Sequence, residues 1–130
     1  MRNAWAIRVA TDEVLETSAQ LGVKDIVVYA GPGQRTIPGT TEPLNKPRAS
    51  YEDYVSLRHR LESYGLRISA LEAGFVNVRR FRNLVFGGPG RDQQIEVLLA
   101  EIQDMARAGI PILGYHWMVN GVWRSPNQTI

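Results

Sequence analysis

The chain has 130 residues, with 15 Lys plus Arg against 13 Asp plus Glu and no cysteine. That length suits one ordinary domain, and 44% hydrophobic with 22% charged residues excludes disorder, collagen and a disulfide-stapled scaffold. The missing cysteines exclude thiolate metal sites, cysteine nucleophiles and redox pairs, and a net charge of +2 falls short of a nucleic-acid binder's footprint.

Residues 1–8 supply no signal-peptide apolar core before Arg8 and Asp12 interrupt. The longest apolar stretch, residues 110–117, is far too short to cross a bilayer of roughly 30 Å. The expectation is a cytoplasmic protein with no membrane partner, so the sequon at Asn127-Gln128-Thr129 is discounted.

Taken in order, residues 5–10 read as a first strand, and Thr11 caps a helix whose first turn carries Asp12 and Glu13. Val14, Leu15, Ser18 and Leu21 fall on one face of that helix. Gly22-Val23 closes it and leads into a strand over 25–30, where Ile26-Val27-Val28-Tyr29 is continuously apolar. Such runs suit parallel strands covered on both faces. A long loop over 31–49 follows, and its Gly31-Pro32-Gly33-Gln34-Arg35 reads as a plain turn.

Ser50 with Asp53 begins a second helix as an imperfect capping box, and Tyr54, Leu57, Leu61 and Tyr64 form its stripe. His59 lies opposite that stripe and reads as surface. Gly65-Leu66 precedes a third strand over 68–73, then a second long loop over 74–91. In that loop Arg79, Arg80 and Arg82 flank Phe81, a solvated cluster or a place for an anionic small molecule. Its last residues, Gly87-Gly88-Pro89-Gly90-Arg91-Asp92, read as a hinge-like loop ending in a cap. Asp92 opens the strongest helix, with Ile95, Leu98, Leu99, Ile102 and Met105 or Ala106 at helical spacing. Gly109-Ile110 then starts a fourth strand over 110–117.

The three glycine punctuations at 22, 65 and 109 are nearly evenly spaced, each an αL cap followed by an apolar strand. The order is βαβαβαβ, an α/β protein built of parallel βα repeats. Pattern alone leaves a doubly wound sheet possible. The turn at Ala10-Thr11-Asp12-Glu13 would repel a phosphate, however, and the front half of a (β/α)8 TIM barrel fits better. A complete barrel needs about 250 residues, so residues 1–130 form a single partial (βα)4-like unit.

Glu72 is the only carboxylate in the third strand and stands at its carboxyl end. A charge there is paired with an arginine, binds a metal or faces a polar site. His116 ends the fourth strand, with Ile110, Ile112 and Gly114 on its face by alternation. A His and a Glu at a barrel mouth are acid/base or metal-binding partners. Trp117, Trp123 and Arg124 complete the cluster.

Three segments resemble the mannonate dehydratase family. They are Gly90-Arg91-Asp92-Gln93-Gln94-Ile95-Glu96, the run from Ala108-Gly109-Ile110 to Tyr115-His116-Trp117-Met118, and Trp123-Arg124. The family reads roughly G-R-D-E-E-I-E, A-G-I-x-V-L-x-Y-N-F-M and D-W-T-R in the same order, and Ile68-Ser69-Ala70-Leu71-Glu72 resembles its third strand. His116 stands where the family has Asn, and Gly121-Val122 replaces the residues before its Trp.

The resemblance implies an α/β fold, the front half of a (β/α)8 TIM barrel of xylose-isomerase-like type. It also implies dehydration of D-mannonate to 2-keto-3-deoxy-D-gluconate in hexuronate breakdown. A divalent metal, Mn2+, would act as Lewis acid, with ligands (His, Cys, His and Asp) from the second half of the barrel, beyond Ile130. By the same resemblance Arg124 grips the sugar acid's carboxylate, Trp117 and Trp123 wall the site, and Glu72 and His116 bind substrate. The chain alone is expected to be inactive, and its partners are a sugar-acid small molecule and either a second copy or a missing C-terminal half. Two other readings stay open: a sugar isomerase or epimerase of the same barrel type, and a non-catalytic half-barrel that dimerises across open sheet edges.

Overall fold

The computed structural model describes residues 3–30, 36–73 and 76–119. Three strands, β1 (Ala4–Ile7), β2 (Asp25–Ala30) and β3 (Arg67–Ala73), form one parallel sheet in the order β1-β2-β3. Helices α1 (Asp12–Gln20) and α2 (Tyr51–Glu62) follow the first two strands. Two more, the short α3 (Arg82–Phe86) and the long α4 (Arg91–Arg107), follow the third. No described helix is long and apolar enough to cross a membrane.

The glycine punctuation is borne out three times with the same hydrogen bonds. Gly22, Gly65 and Gly109 take φ of 73°, 69° and 80°. The following N–H groups of Val23, Leu66 and Ile110 donate five residues back, to Ser18, Leu61 and Met105. The glycine N–H groups donate three residues back, to Ala19, Glu62 and Ala106. This is the Schellman closure. It turns the chain sharply, so that the next residue packs into the core, as Leu66 and Ile110 do, or against it, as Val23 does.

The helix starts also follow their sequence. Thr11 accepts the Val14 N–H at 3.4 Å, and the Asp53 carboxylate accepts the Ser50 N–H at 2.7 Å. Lys46 pairs with that carboxylate at 2.6 Å. Burial alone would raise the Asp53 pKa, but the Lys46 and Ser50 contacts outweigh it and hold the carboxyl below the usual range.

The core lies between the sheet and the helices. Ile7, Val28 and Leu71 occupy one register row across the strands, and Leu15, Tyr54, Leu57 and Leu61 cover it from α1 and α2. The loop after β2 returns to the sheet at Gly39, whose carbonyl accepts the Ala10 N–H at 2.7 Å. Gly39 has φ 76° and lies against Leu57, so a side chain there would strain the backbone and displace the core.

Three expectations need correction. The segment 110–117 is not a fourth strand. It lies parallel beside β3 through isolated bridges at Leu71–Leu113 and Asn77–His116 only. Pro111 has no N–H to give a ladder, and the two bridges are out of step, six residues on one side matching three on the other. Ile110 is accordingly buried while Ile112 is exposed, against simple alternation. Second, α3 interrupts the loop expected over 74–91.

Third, only part of the apolar stripe of α4 faces the core: Met105 is buried in it and Leu98 packs against it. Ile95, Leu99 and Ile102 are 36%, 53% and 38% exposed, and Glu101 and Asp104 are buried in their place with Met105. Glu101 receives both ends of the Arg80 guanidinium, at 2.8 and 3.1 Å, and the Tyr54 hydroxyl at 3.1 Å. Asp104 pairs with Arg48, and with Arg107 at 3.1 Å. Burial, then the Glu101 charge, pushes the Tyr54 phenol far up, so it stays a neutral donor.

Two stability outcomes follow. Arg80→Met leaves the Glu101 carboxylate buried without its cation and should cost about 3–5 kcal/mol in denaturant unfolding. Adding Glu101→Leu should recover most of that loss, because the stranded charge goes too. Asp53→Asn should cost about 1 kcal/mol near neutral pH. Because the folded pKa is depressed, that contribution is present above the unfolded value of about 3.9 and fades as pH falls through the folded one. Wild type and variant should therefore converge in acid, read by thermal melts across pH.

Candidate functional site

Successive residues of a strand point to opposite faces, so the row after Ile7, Val28 and Leu71 faces away from the helices. The register pairs Tyr29 with Glu72 in that row. Arg8 follows Ile7, and its guanidinium carbon lies 5.6 Å from the centre of the Tyr29 ring. Gly114 follows Leu113, the residue bridged to Leu71. Its backbone lies against Glu72, and a Cβ there would stand 2.9 Å from the Glu72 Cγ. Arg8, Tyr29, Glu72 and Gly114 thus form one polar line across the carboxyl ends of the strands. The row beneath it on the same face holds the small side chains of Ala6, Val27 and Ala70.

Glu72 and Arg8 are exposed, and neither has an ion pair among the described residues. The structural alternative for Glu72, a pair with a nearby arginine, is therefore not what these residues adopt.

His116 sits elsewhere. Its backbone N–H donates to the Val76 carbonyl at 3.3 Å and its Cα bridges Asn77. The imidazole Nδ1 is buried with no hydrogen-bond partner among the described residues. No hydrogen bond joins His116 to Glu72 among them, so the two are neighbours in segment rather than a contacting pair. Asn77 is 2% exposed, and its side-chain oxygen accepts the N–H groups of Arg79 and Arg80 at 3.0 and 3.3 Å. That turn aims Arg80 inward at Glu101. It takes Arg80 out of the basic cluster read around Phe81.

Trp117 is half-buried. It meets Phe81 edge-to-face, with ring centres 6.4 Å apart, and tilts against Tyr115 at 5.9 Å. Trp123 and Arg124, and the loop at Gly31–Arg35, lie outside the described residues. Among the described residues no three His, Asp or Glu side chains converge as metal ligands. These residues by themselves do not fit a manganese site.

Reading the sequence alone missed Arg8, Tyr29 and Asn77. Arg8, just past β1, and Tyr29 on β2 meet only because the two strands pair, which leaves no local trace. Asn77 had a signal, an Asn placed two and three residues before N–H groups that it can accept.

No family model matches the chain. Among solved structures, it is similar to the mannonate dehydratase from Streptococcus suis serotype 2. The two share 22% identity and a TM-score of 0.70 over 98% of this chain and 33% of that one. The likeness is one of fold: a small α/β unit with parallel strands, spanning a third of the other protein's length.

Gly114→Ala should force the Glu72 side chain off its present rotamer, at a cost of about 1 kcal/mol. The Glu72 and Tyr29 resonances should move while those of the α2 core stay put. Unchanged Glu72 shifts would mean that Gly114 does not set its position.

Proposed function

We propose that this chain forms the first βα units of a (β/α)8 barrel of xylose-isomerase-like type and one wall of a sugar-acid dehydratase site. The reaction is loss of water from D-mannonate to give 2-keto-3-deoxy-D-gluconate. The observation that supports it most is the overlay of nearly the whole chain on a mannonate dehydratase. The line of Arg8, Tyr29 and Glu72 falls at the carboxyl ends of parallel strands, where barrel enzymes keep their sites.

In this reading the Glu72 carboxylate accepts hydrogen bonds from sugar hydroxyls, and the small row beneath leaves room for the carbon chain. Trp117 closes one side, and the buried His116 Nδ1, which has no partner among the described residues, is proposed to hydrogen-bond a ligand. Trp123 is proposed as a second wall and Arg124 as a cation for the substrate. The divalent ion of such a reaction would take its ligands from outside the described residues, and these residues perform binding and orientation without it.

A second reading rests on a separate observation. Ile112, Tyr115, Met118 and Val119 are 57%, 63%, 44% and 60% exposed, and Ile95, Leu99 and Ile102 of α4 are exposed as well. A surface this apolar is covered in a working protein, by a second copy or by further βα units. We therefore propose that the chain dehydrates nothing alone and gains activity only when that side is covered.

Two measurements test these readings. Titration with D-mannonate should shift the amide resonances of Tyr29, Glu72 and Gly114, and no shift there would overturn the sugar-acid assignment. Light scattering should give a mass above the 14.6 kDa of one chain. A well-folded monomer with no affinity for an apolar dye would overturn the covered-face reading.

A further inference from the structure

The polar line has a direction. A cation stands over β1 and a carboxylate over β3, and an aromatic ring on β2 lies between them. We propose that a linear polyhydroxy acid lies across the strands on this line, its carboxylate held by Arg8 and its hydroxyl tail by Glu72. The inference rests on the sugar-acid reading and adds to it an orientation and two residues, Arg8 and Tyr29.

Three observations carry it. The first is charge order. Glu72 pairs in register with Tyr29, and the Arg8 guanidinium, just past the end of β1, lies 5.6 Å from the Tyr29 ring centre, so the opposite charges stand on either side of Tyr29 and make no pair among the described residues. Adjacent strands lie about 4.8 Å apart, so the two anchors stand about 10 Å apart at the backbone. An extended six-carbon acid and a hydrogen bond at each end span that gap. A second residue of the same sign would leave a ligand no preferred direction.

The second is the state of each anchor. Arg8 is exposed, and its only contact among the described residues is the face of Tyr29, which orients the guanidinium but uses none of its five donors. Those donors can meet a carboxylate two at a time. Glu72 accepts no hydrogen bond among the described residues, which leaves both oxygens to hydroxyl donors. A neutral polyol would satisfy Glu72 and leave Arg8 idle, so the two ends make separable contributions.

The third is room. Gly114 removes a side chain at the far end of the line, where even a methyl group would meet Glu72. Below the line, Ala6 and Ala70 keep the floor low on either side of Val27. The Tyr29 ring offers its free surface to the C–H bonds of the acid's carbon chain, as aromatic faces do for sugars.

The test compares D-mannonate with mannitol, which has the same carbon chain and hydroxyls but no charge, by NMR titration of the full chain. Arg8→Gln should weaken D-mannonate by about 10- to 100-fold, as loss of a charge-assisted contact does, and leave mannitol unchanged. Arg8→Lys should restore part of that loss. Glu72→Gln should weaken both ligands alike.

Equal loss of both ligands in Arg8→Gln, or no loss of either, would overturn the orientation while leaving the sugar-acid reading standing. A loss of D-mannonate on Arg124→Gln but not on Arg8→Gln would do the same, since a different cation would then hold the carboxylate. Failure of the wild-type chain to bind D-mannonate would overturn both. Because Arg8 is exposed and makes no hydrogen bond among the described residues, unchanged melting of its variants separates lost binding from lost folding.

Discussion

The arrangement depends on two carboxylates buried on one helix. Glu101 and Asp104 take the inner face of α4, where periodicity would place an apolar side chain, and each holds an arginine from a different loop. Arg48 comes from the loop that leaves β2, and Arg80 from the loop that leaves β3. A buried ion pair gives little net stability, because desolvation offsets most of the attraction. It does give position. Arg80 also donates to the Pro47 carbonyl at 3.3 Å, so the same cation ties one loop to the other.

That clasp sets which side of α4 faces out. With its carboxylates inside, α4 turns Ile95, Leu99 and Ile102 outward. The helix-facing side of the sheet is closed by the apolar core. The line of Arg8, Tyr29, Glu72 and Gly114 lies on the opposite face.

What the sequence made legible was whatever depends on near neighbours. The Schellman glycines, the Thr11 and Ser50 caps, the Tyr54-Leu57-Leu61 stripe and the limits of β2 are all decided within about six residues, and all hold. The inside of α4 depends on partners 21 and 56 residues away. Hydrophobic periodicity carries no information about such partners, so it places Met105 and Leu98 inside correctly and Ile95, Leu99 and Ile102 wrongly. The polar line failed to show for the same reason. Glu72 could be found alone as a charge in an apolar strand, but its alignment with Tyr29 and Arg8 depends on the sheet's register. Even that register is irregular, with a shift between Ile26 and Val27 where Ser69 turns its hydroxyl onto the Ile26 carbonyl at 3.0 Å.

The mismatch beside β3 separates the roles of Glu72 and His116. A regular fourth strand would have carried its pairing from Leu113 straight on, setting His116 two positions along the same face as Gly114 and near Glu72. Instead the chain after Leu71 needs twice as many residues as its neighbour to reach the next bridge, so His116 comes level with buried Asn77. The Asn77 side chain is already committed to the turn that aims Arg80 at Glu101. The histidine is therefore held by its backbone next to the clasp, with Nδ1 unsatisfied, while Glu72 stays with the open line. An acid/base pair in direct contact is not what this geometry makes. It keeps the polar line of Arg8, Tyr29 and Glu72 on the sheet apart from the His116 imidazole at its margin.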